Sequence, residues 1–518
     1  MSAVLNVAIG IYAILGGPLF IVITLLTFVA YANVDPVAID PQGIFVAMGA
    51  LLDKPHLLPI ALFIFSGYLL AHSGTPKRAV RVAEAFLGFV PGGLAIVAVV
   101  TCAFFTSFTG ASGVTIIAIG GLLYPILLER NYPERFNIGL LTASGSLGLL
   151  FFPSLPVFMV ATVYSLSAGT QSVEPEGIFA AGILPGLLMV VVLSGWAIYT
   201  GKKHKVASAQ VSLKELGAAI RGAIWEVLMP VALIIAFQSG LIGIHEVATF
   251  ITLYVLLMEV VLYRDIHLLR DMPKLIRESM ALVGAIFIIL AVVLGMNNYL
   301  KDQKVPQMIL AMVQSVIDSP ILFLMALNVF LLIIGCLMDV FSAIVAVLPL
   351  IIPLAETYGV DPLHLCVIFL ANLEIGYLTP PVGLNLFISA FHFKKPVLTV
   401  YRAVLPAIAL LLFCLLVITY VPSLTLAIPR ALDMDAQMTS HSIEGGDTPK
   451  SHGTDSDRLL DALGSDDDDP ESWGEDNEDG HVNPDDESVK EESGDDMTAE
   501  ERERREFEKL LEDDEEDP

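Results

Sequence analysis

The stretch Leu378-Thr-Pro-Pro-Val-Gly383 decides the fold, because it interrupts an apolar run, Pro362–Phe393, that is otherwise long enough to cross a membrane. Its two prolines and its glycine weaken or remove helix hydrogen bonds in the middle of the run. Non-helical backbone at membrane depth survives only where protein buries it or a wet cavity meets it. A second run, Phe136–Leu166, breaks in the same way at Ser144-Gly-Ser-Leu-Gly148 and Pro153-Ser-Leu-Pro156. Each broken run follows an apolar stretch with a small polar interruption. The first is 91–128 around Ser107-Phe-Thr-Gly-Ala-Ser-Gly113, the second 321–355 around Gly335-Cys-Leu-Met-Asp339. The flanks of each interruption, about 15 residues or ~22 Å as helix, fall short of a ~30 Å hydrocarbon core. Both stretches therefore predict re-entrant hairpins.

The two regions align without gaps at an offset of 228 residues, as at Ile116/Ile344, Ala118/Ala346, Leu122/Leu350, Pro125/Pro353, Gly148/Gly376 and Pro153/Pro381. Both hairpins and both breaks fall in that one register, which predicts an internal repeat. Single crossings are expected at Val4–Tyr31, Leu57–His72, Gly177–Thr200, Val227–Ile244, Val247–Tyr263, Ser279–Leu300 and Ala403–Ile428. The first lacks a basic leader and is too long for a signal-peptide core, so it is read as a membrane helix. Five crossings separate equivalent points, so the second repeat is inverted relative to the first. The expectation is an all-α polytopic membrane protein. Its first repeat is 1–200, with helices 4–31, 57–72 and 177–200, hairpin 91–128 and broken helix 136–166. A basic loop and linking helix at 201–245 follow. The second, inverted repeat is 246–430, with hairpin 321–355, broken helix 362–393 and helix 403–428, and an acidic tail occupies 433–518.

Composition and charge agree. Of the 518 residues 55% are hydrophobic and only 16% are charged, more apolar surface than a soluble globule can hide. The net charge of −27 belongs wholly to residues 433–518, where 34 acids face 7 bases; residues 1–432 hold 21 of each. Neither part offers a basic patch, which excludes nucleic-acid binding. The tail, rich in Asp, Glu, Gly and Ser, is expected to be mostly disordered. The cysteines Cys102, Cys336, Cys366 and Cys414 lie in apolar runs and read as small core side chains rather than disulfides or metal ligands. Seventeen basic residues in loops fall on the N-terminal side of the nine expected crossings and four, Lys54, Lys301, Lys304 and Arg430, on the other. That bias sets the N-terminus in the cytoplasm and the tail outside.

A broken helix exposes unpaired N–H groups at one half and unpaired carbonyls at the other. The former suit an anionic substrate group, and the latter, with small hydroxyls, suit a sodium ion. Candidate cation ligands are Ser107, Gly110, Ser112, Ser144, Ser146, Gly148, Asp339, Asn372, Thr379 and Gly383. Candidate substrate contacts are Thr109, Gly113, Ser154, Pro380, Pro381 and Asn385. Taken singly, such Gly and Ser residues equally serve tight helix packing. Asp339, alone at the second tip, is open to cation ligation or to capping; Glu374 is a weaker candidate. Glu226 and Glu259 fall near span ends, where their carboxylates are expected to reach water. Gly110-Ala-Ser-Gly113 also fits a GxSG intramembrane serine protease pattern, but no histidine is placed to activate Ser112. No metal beyond sodium and no cofactor is expected.

Four stretches, Phe108-Thr-Gly-Ala-Ser-Gly-Val-Thr-Ile-Ile-Ala-Ile-Gly120, Ser144–Gly148, Gly359-Val-Asp-Pro-Leu-His364 and above all Asn372-Leu-Glu-Ile-Gly-Tyr-Leu-Thr-Pro-Pro-Val-Gly-Leu-Asn-Leu-Phe387, carry a resemblance. Over roughly residues 1–430 the chain resembles the large membrane subunit of tripartite ATP-independent periplasmic (TRAP) transporters. The resemblance implies a multi-pass permease of a prokaryotic inner membrane, importing organic anions such as C4-dicarboxylates with sodium by an elevator motion. It implies two partners, a small four-helix membrane subunit, here a separate polypeptide, and a soluble periplasmic substrate-binding protein. The chain departs from the family pattern at Phe152, where a proline is usual, at Gly243-Ile-His245, and in its tail. A one-component sodium:carboxylate symporter is the nearest rival reading.

Overall fold

Apolar runs wind into helices here, and the interruptions fall where the helices stop. The computed structural model describes residues 2–14, 19–32, 49, 57–90, 92–167, 173–206, 213–229, 232 and 244–432. In chain order the helices are α1 (Ser2–Ile14), α2 (Leu19–Ala32), α3 (Leu57–Ala71), α4 (Thr75–Leu87), α5 (Gly93–Thr109) and α6 (Ser112–Glu129). There follow α7 (Glu134–Ser144), α8 (Leu155–Ser167), α9 (Pro175–Lys203), α10 (Leu213–Gly222), α11 (Ile244–Leu257), α12 (Met272–Asp302) and α13 (Val305–Gln314). The last six are α14 (Pro320–Leu337), α15 (Val340–Thr357), α16 (Pro362–Gly376), α17 (Leu384–His392), α18 (Val397–Tyr420) and α19 (Pro422–Ala431). A π-helical turn at Ile116–Gly120 widens α6, and another, Met258–Leu262, extends α11.

Each stretch expected to be a hairpin or a broken run is a pair of helices with a break at the interruption. The pairs α5/α6 and α14/α15 are the hairpins, and α7/α8 and α16/α17 are the two halves of the broken runs. The hairpin arms are 17 or 18 residues long, ~27 Å of helix and longer than the expected flanks. Six helices among the described residues are long and apolar enough to span a membrane, or seven if the bent pair α3 and α4 counts as one. Three of the six are hairpin arms.

Two expected crossings are divided. Val4–Tyr31 is two helices, α1 and α2, packed on each other, with the weak helix formers Gly16, Gly17 and Pro18 between their ends in the sequence. Ala403–Ile428 spans α18 and α19, because Pro422 cannot donate the hydrogen bond that would continue α18. Most of Val227–Ile244 and all of the acidic tail lie outside the described residues.

Contacts between the two halves come in reciprocal pairs. Helix α2 packs on α12, and α3 packs on α11. Likewise α7 packs on α18 while α16 packs on α9, and α8 packs on α15 while α17 packs on α6. At the 228-residue offset each of these contacts is repeated with the partners' roles exchanged. The cis peptides Phe152–Pro153 and Pro380–Pro381 stand at the same offset. Helices α2, α3, α11 and α12 pack on one another, and α3 and α12 also pack on the hairpins at α5 and α15.

Close approach explains one glycine in each break. A Cβ on Gly148 would lie 2.2 Å from the Ala103 carbonyl oxygen and 2.5 Å from the Ser107 nitrogen. One on Gly376 would lie 2.6 Å from the Cα of Gly335. Gly335 is the counterpart of Ser107, so each break rests backbone-to-backbone on the same place of its own hairpin arm.

Glu226 and Glu259 correct the sequence reading. They are 4% and 0% exposed, enclosed by Thr75, Arg78 and Tyr263; being near a span end did not leave them in water.

Candidate functional site

The first hairpin turns at Gly110, whose φ of +62° closes α5 in a left-handed cap, its N–H donating to the Thr106 carbonyl. The second turns at Met338 and Asp339. Asp339 caps α15: its Oδ2 accepts from the backbone N–H of Phe341 (3.1 Å) and Ser342 (3.2 Å), and its Oδ1 from the Ser342 hydroxyl (2.5 Å). Of the two roles open to this carboxylate, the structure provides capping; both oxygens have partners.

The first tip meets the second break. Ser112 donates its hydroxyl to Asn385 Oδ1 at 2.7 Å, which joins a candidate cation ligand to a candidate substrate contact 273 residues away. Among the described residues no histidine is bonded to Ser112, whose hydroxyl is given to Asn385. Nearby in sequence, Thr142 on α7 donates to Ser389 on α17 at 2.8 Å. Thr106 bridges the arms and the first break, its hydroxyl 2.6 Å from that of Thr115 and 2.8 Å from the Gly145 carbonyl. The Ser146 hydroxyl reaches the Ala143 and Glu374 carbonyls, each at 3.3 Å. Gly383 donates its N–H to the Cys336 carbonyl at 3.0 Å, tying the second break to the end of α14.

Other expected residues satisfy themselves locally. Ser107, Ser144, Ser154 and Thr379 donate to the carbonyls of Phe104, Leu140, Leu149 and Ile375. Those four hydroxyls fit packing as well as ligation. Gly113 lets the tip approach α17, where a Cβ would lie 2.5 Å from Ile388 Cδ1. Gly148 serves the backbone contact already described. Pro380 is half-buried and Pro381 exposed, the latter's carbonyl accepting from Tyr401.

What the sequence did not single out is a buried polar chain behind the second break. Asn372 Nδ2 donates to Asn328 Oδ1 at 2.7 Å and to the Ile368 carbonyl at 2.8 Å. Asn328 Nδ2 donates to the Thr419 hydroxyl at 3.0 Å. His364 continues the chain, one ring nitrogen 2.8 Å from the Thr425 hydroxyl and the other 3.1 Å from the Thr419 carbonyl. A lone amide in an apolar run, as Asn328 is in α14, was the available signal.

Several buried polar atoms at these breaks have no partner: Thr109 Oγ1, Asn372 Oδ1, both carboxylate oxygens of Glu374, the Tyr377 hydroxyl and Asn385 Nδ2. Leaving such groups unpaired is costly. The oxygens are hard donors of the kind that hold an alkali or alkaline-earth ion, and Asn385 Nδ2 is a donor suited to an anion. No cluster of three or more His, Cys, Asp or Glu side chains placed to hold a metal occurs among the described residues.

Comparison with known proteins bears on this geometry. Residues 3–424 match the family described as "Tripartite ATP-independent periplasmic transporter, DctM component". The chain is 34% identical over 379 residues to the C4-dicarboxylate TRAP transporter large permease protein DctM of Pseudomonas aeruginosa, covering 73% of this chain and 87% of that one. It is 30% identical over 375 residues to the isethionate TRAP transporter permease protein DctMQ of Oleidesulfovibrio alaskensis, covering 72% and 58%. Among solved structures it resembles the Alcanivorax borkumensis YdaH transporter, with a TM-score of 0.59 at 15% identity over 77% of this chain and 97% of that one. That last likeness is one of fold.

Proposed function

The chain belongs to the DctM component family of tripartite ATP-independent periplasmic transporters, and on that footing we propose that it imports an organic anion, a C4-dicarboxylate or related carboxylate, together with sodium. The observation that carries the reading is the junction of the first hairpin tip with the second break at Ser112 and Asn385. Unpartnered oxygens and a free amide N–H stand at these same breaks. Sodium would be held by Thr109 Oγ1, Asn372 Oδ1 and the carbonyls that the breaks free, and a substrate carboxylate by Asn385 Nδ2 with the first N–H groups of α17.

The halves are inverted repeats, and the hairpins with the broken helices are the group that moves. The reciprocal contacts support the repeat, and the hydrogen bonds that tie the first tip to the second break and the second break to α14 support their moving together. Substrate arrives on a soluble binding protein outside, and a small membrane subunit completes the complex in the inner membrane, with the N-terminus cytoplasmic. Relatives named for C4-dicarboxylate and for isethionate share this frame, which is consistent with selection lying largely in the soluble partner.

The test is uptake of labelled organic acids into proteoliposomes holding this chain and its small subunit, under an inward sodium gradient. The expected result is uptake that needs both sodium and the binding protein. Uptake with sodium alone would assign the chain to one-component symport; none under any gradient would refute the proposal. Asn372→Ala should lose most of the sodium-induced thermal stabilisation of the purified protein, and a wild-type shift would remove Asn372 from the site.

A further inference from the structure

Outside the breaks, the densest charged cluster surrounds Arg78 near the start of α4. Its Nε bonds Glu226, its Nη1 lies 2.6 Å from Asp265 Oδ2, and its Nη2 lies 3.2 Å from Glu259 Oε1. The guanidinium carbon stands 3.7 Å from the centre of the Tyr263 ring, a cation–π contact. Tyr263 in turn donates its hydroxyl to Glu226 Oε2 at 2.5 Å. Two neighbours of Arg78 join the same acids: Thr75 donates to Glu259 Oε1 at 2.6 Å, and the Gly74 N–H to Asp265 Oδ2 at 2.9 Å. All three guanidinium nitrogens are engaged, on acids from three places in the chain: residue 226, the end of α11 and the turn after it.

The cluster stands at a mechanical junction. Helix α4 leaves α3 at a bend of 72° and leads into the first hairpin. Its starting half is anchored, with Thr75, Pro76 and Val80 buried. Its far end exposes Phe86 and, just past it, Phe89, at 50% and 55%, while Ala83 and Leu87 pack against the core. Beyond them Gly92, at φ +84°, and Gly93 turn the chain into α5, Gly92 lying close against the Ala197 backbone of α9. The counterpart of α4 in the second half, α13, buries none of its residues. Helix α13 packs on α12 and α15 through half-buried residues such as Ile309 and Leu310, without the charged joint that holds α4.

We propose that Arg78 is a positioning residue that pins the start of α4 to the packed group of α3 and α11. The joint stays closed throughout transport, and movement of the first hairpin is taken up beyond it. Opening the joint would strand Glu259, which is wholly buried, beside no cation, and such an uncompensated buried charge is strongly unfavourable. A guanidinium held by three carboxylates and a ring face suits a pivot rather than a contact broken once per cycle. The inference rests on the transport reading above.

A disulfide tests it. A Cβ on Gly74 would lie 2.6 Å from Asp265 Oδ2, so Gly74→Cys with Asp265→Cys places two thiols within bridging reach. The expected result is that the double variant oxidises readily and that the oxidised form keeps uptake within about twofold of wild type. Uptake abolished by oxidation and restored by reduction would show that the joint must open, and would overturn the proposal. Failure of a folded double variant to oxidise would overturn it too, because residues 74 and 265 would not be apposed. Arg78→Lys provides an independent arm should the double variant not fold. Per folded transporter, its maximal uptake rate should fall at least fivefold with unchanged half-saturation for sodium and substrate; an unchanged rate would refute pinning. Absence of uptake by the wild-type protein would instead refute the transport reading, while the disulfide yield would still report on the joint.

Discussion

Ser146 donates its hydroxyl to the backbone carbonyl of Glu374, the residue 228 positions later, at 3.3 Å. That separation is the offset of the internal repeat, so a position in one half touches its own counterpart in the other. Self-contact between equivalent positions occurs only near a two-fold axis, which locates the axis of the proposed inverted repeat at the two breaks. The bond is long and shared with Ala143, so its strength is modest. Ser146→Ala should cost about 0.5–1.5 kcal/mol, read as a small fall in the thermal midpoint with sodium uptake retained.

Gly148 and Gly376 should answer alike to the same substitution. Each faces hairpin backbone too closely to admit a Cβ. Neither neighbour is the end of a flexible side chain, so relief requires the break to shift off its hairpin arm. Gly148→Ala and Gly376→Ala should each cost about 1–3 kcal/mol of stability, the usual range for overpacking. Gly284→Ala, in open space on α12, is the control and should be neutral or slightly stabilising. A tolerated alanine at either break would mean that the backbone contact there is not tight.

The hairpins and breaks were legible because glycine and proline within apolar runs act locally, through helix hydrogen bonds that cannot form. The division of Ala403–Ile428 at Pro422 had the same kind of signal, but one proline near the end of a long apolar run resembles a tolerated kink. Glu226 and Glu259 were misread because burial near a span end depends on what packs there, and Arg78 comes from a segment some 150 residues earlier in the chain. The serines divided for a similar reason. Ser112 points across to Asn385 while Ser144 turns back to Leu140, and hydroxyl direction is a rotamer property that spacing does not encode. The amide chain from Asn372 through Asn328 needed the packing of α14 against α16 to become visible.

That amide chain makes its own prediction. Asn328 and Asn372, both buried, meet at 2.7 Å, with Asn328 also tied to Thr419. Removing either amide deletes the bond between them, while the survivor keeps one other partner, the Ile368 carbonyl for Asn372 and Thr419 for Asn328, so Asn328→Ala and Asn372→Ala should each destabilise by about 0.5–1.5 kcal/mol. The double variant should cost less than the sum, with a coupling of about 0.5–1.5 kcal/mol in a double-mutant cycle of unfolding midpoints. Additive losses would show that the pair does not act as a unit.

At the far ends of the broken helices, Glu134 joins the halves by charge. Its carboxylate accepts from the Lys395 ammonium at 2.5 Å and from the Tyr124 hydroxyl at 2.8 Å. The Lys395 contact, and after it the Tyr124 hydroxyl, hold the Glu134 carboxyl below the usual 4.5. A carboxyl whose folded value is depressed binds its proton more readily in the unfolded chain. It therefore contributes stability above 4.5, and that contribution disappears as pH falls through the folded value. With side chains 47% and 32% exposed, the pair should contribute no more than about 1 kcal/mol. Lys395→Met should accordingly lower the thermal midpoint slightly at pH 7, and the gap from wild type should close as pH falls below 4.5. Added salt should close it as well, because an exposed pair is screened within a Debye length of ~8 Å at physiological ionic strength. A gap that persisted in acid would mean that Lys395 stabilises through its aliphatic stem rather than through Glu134.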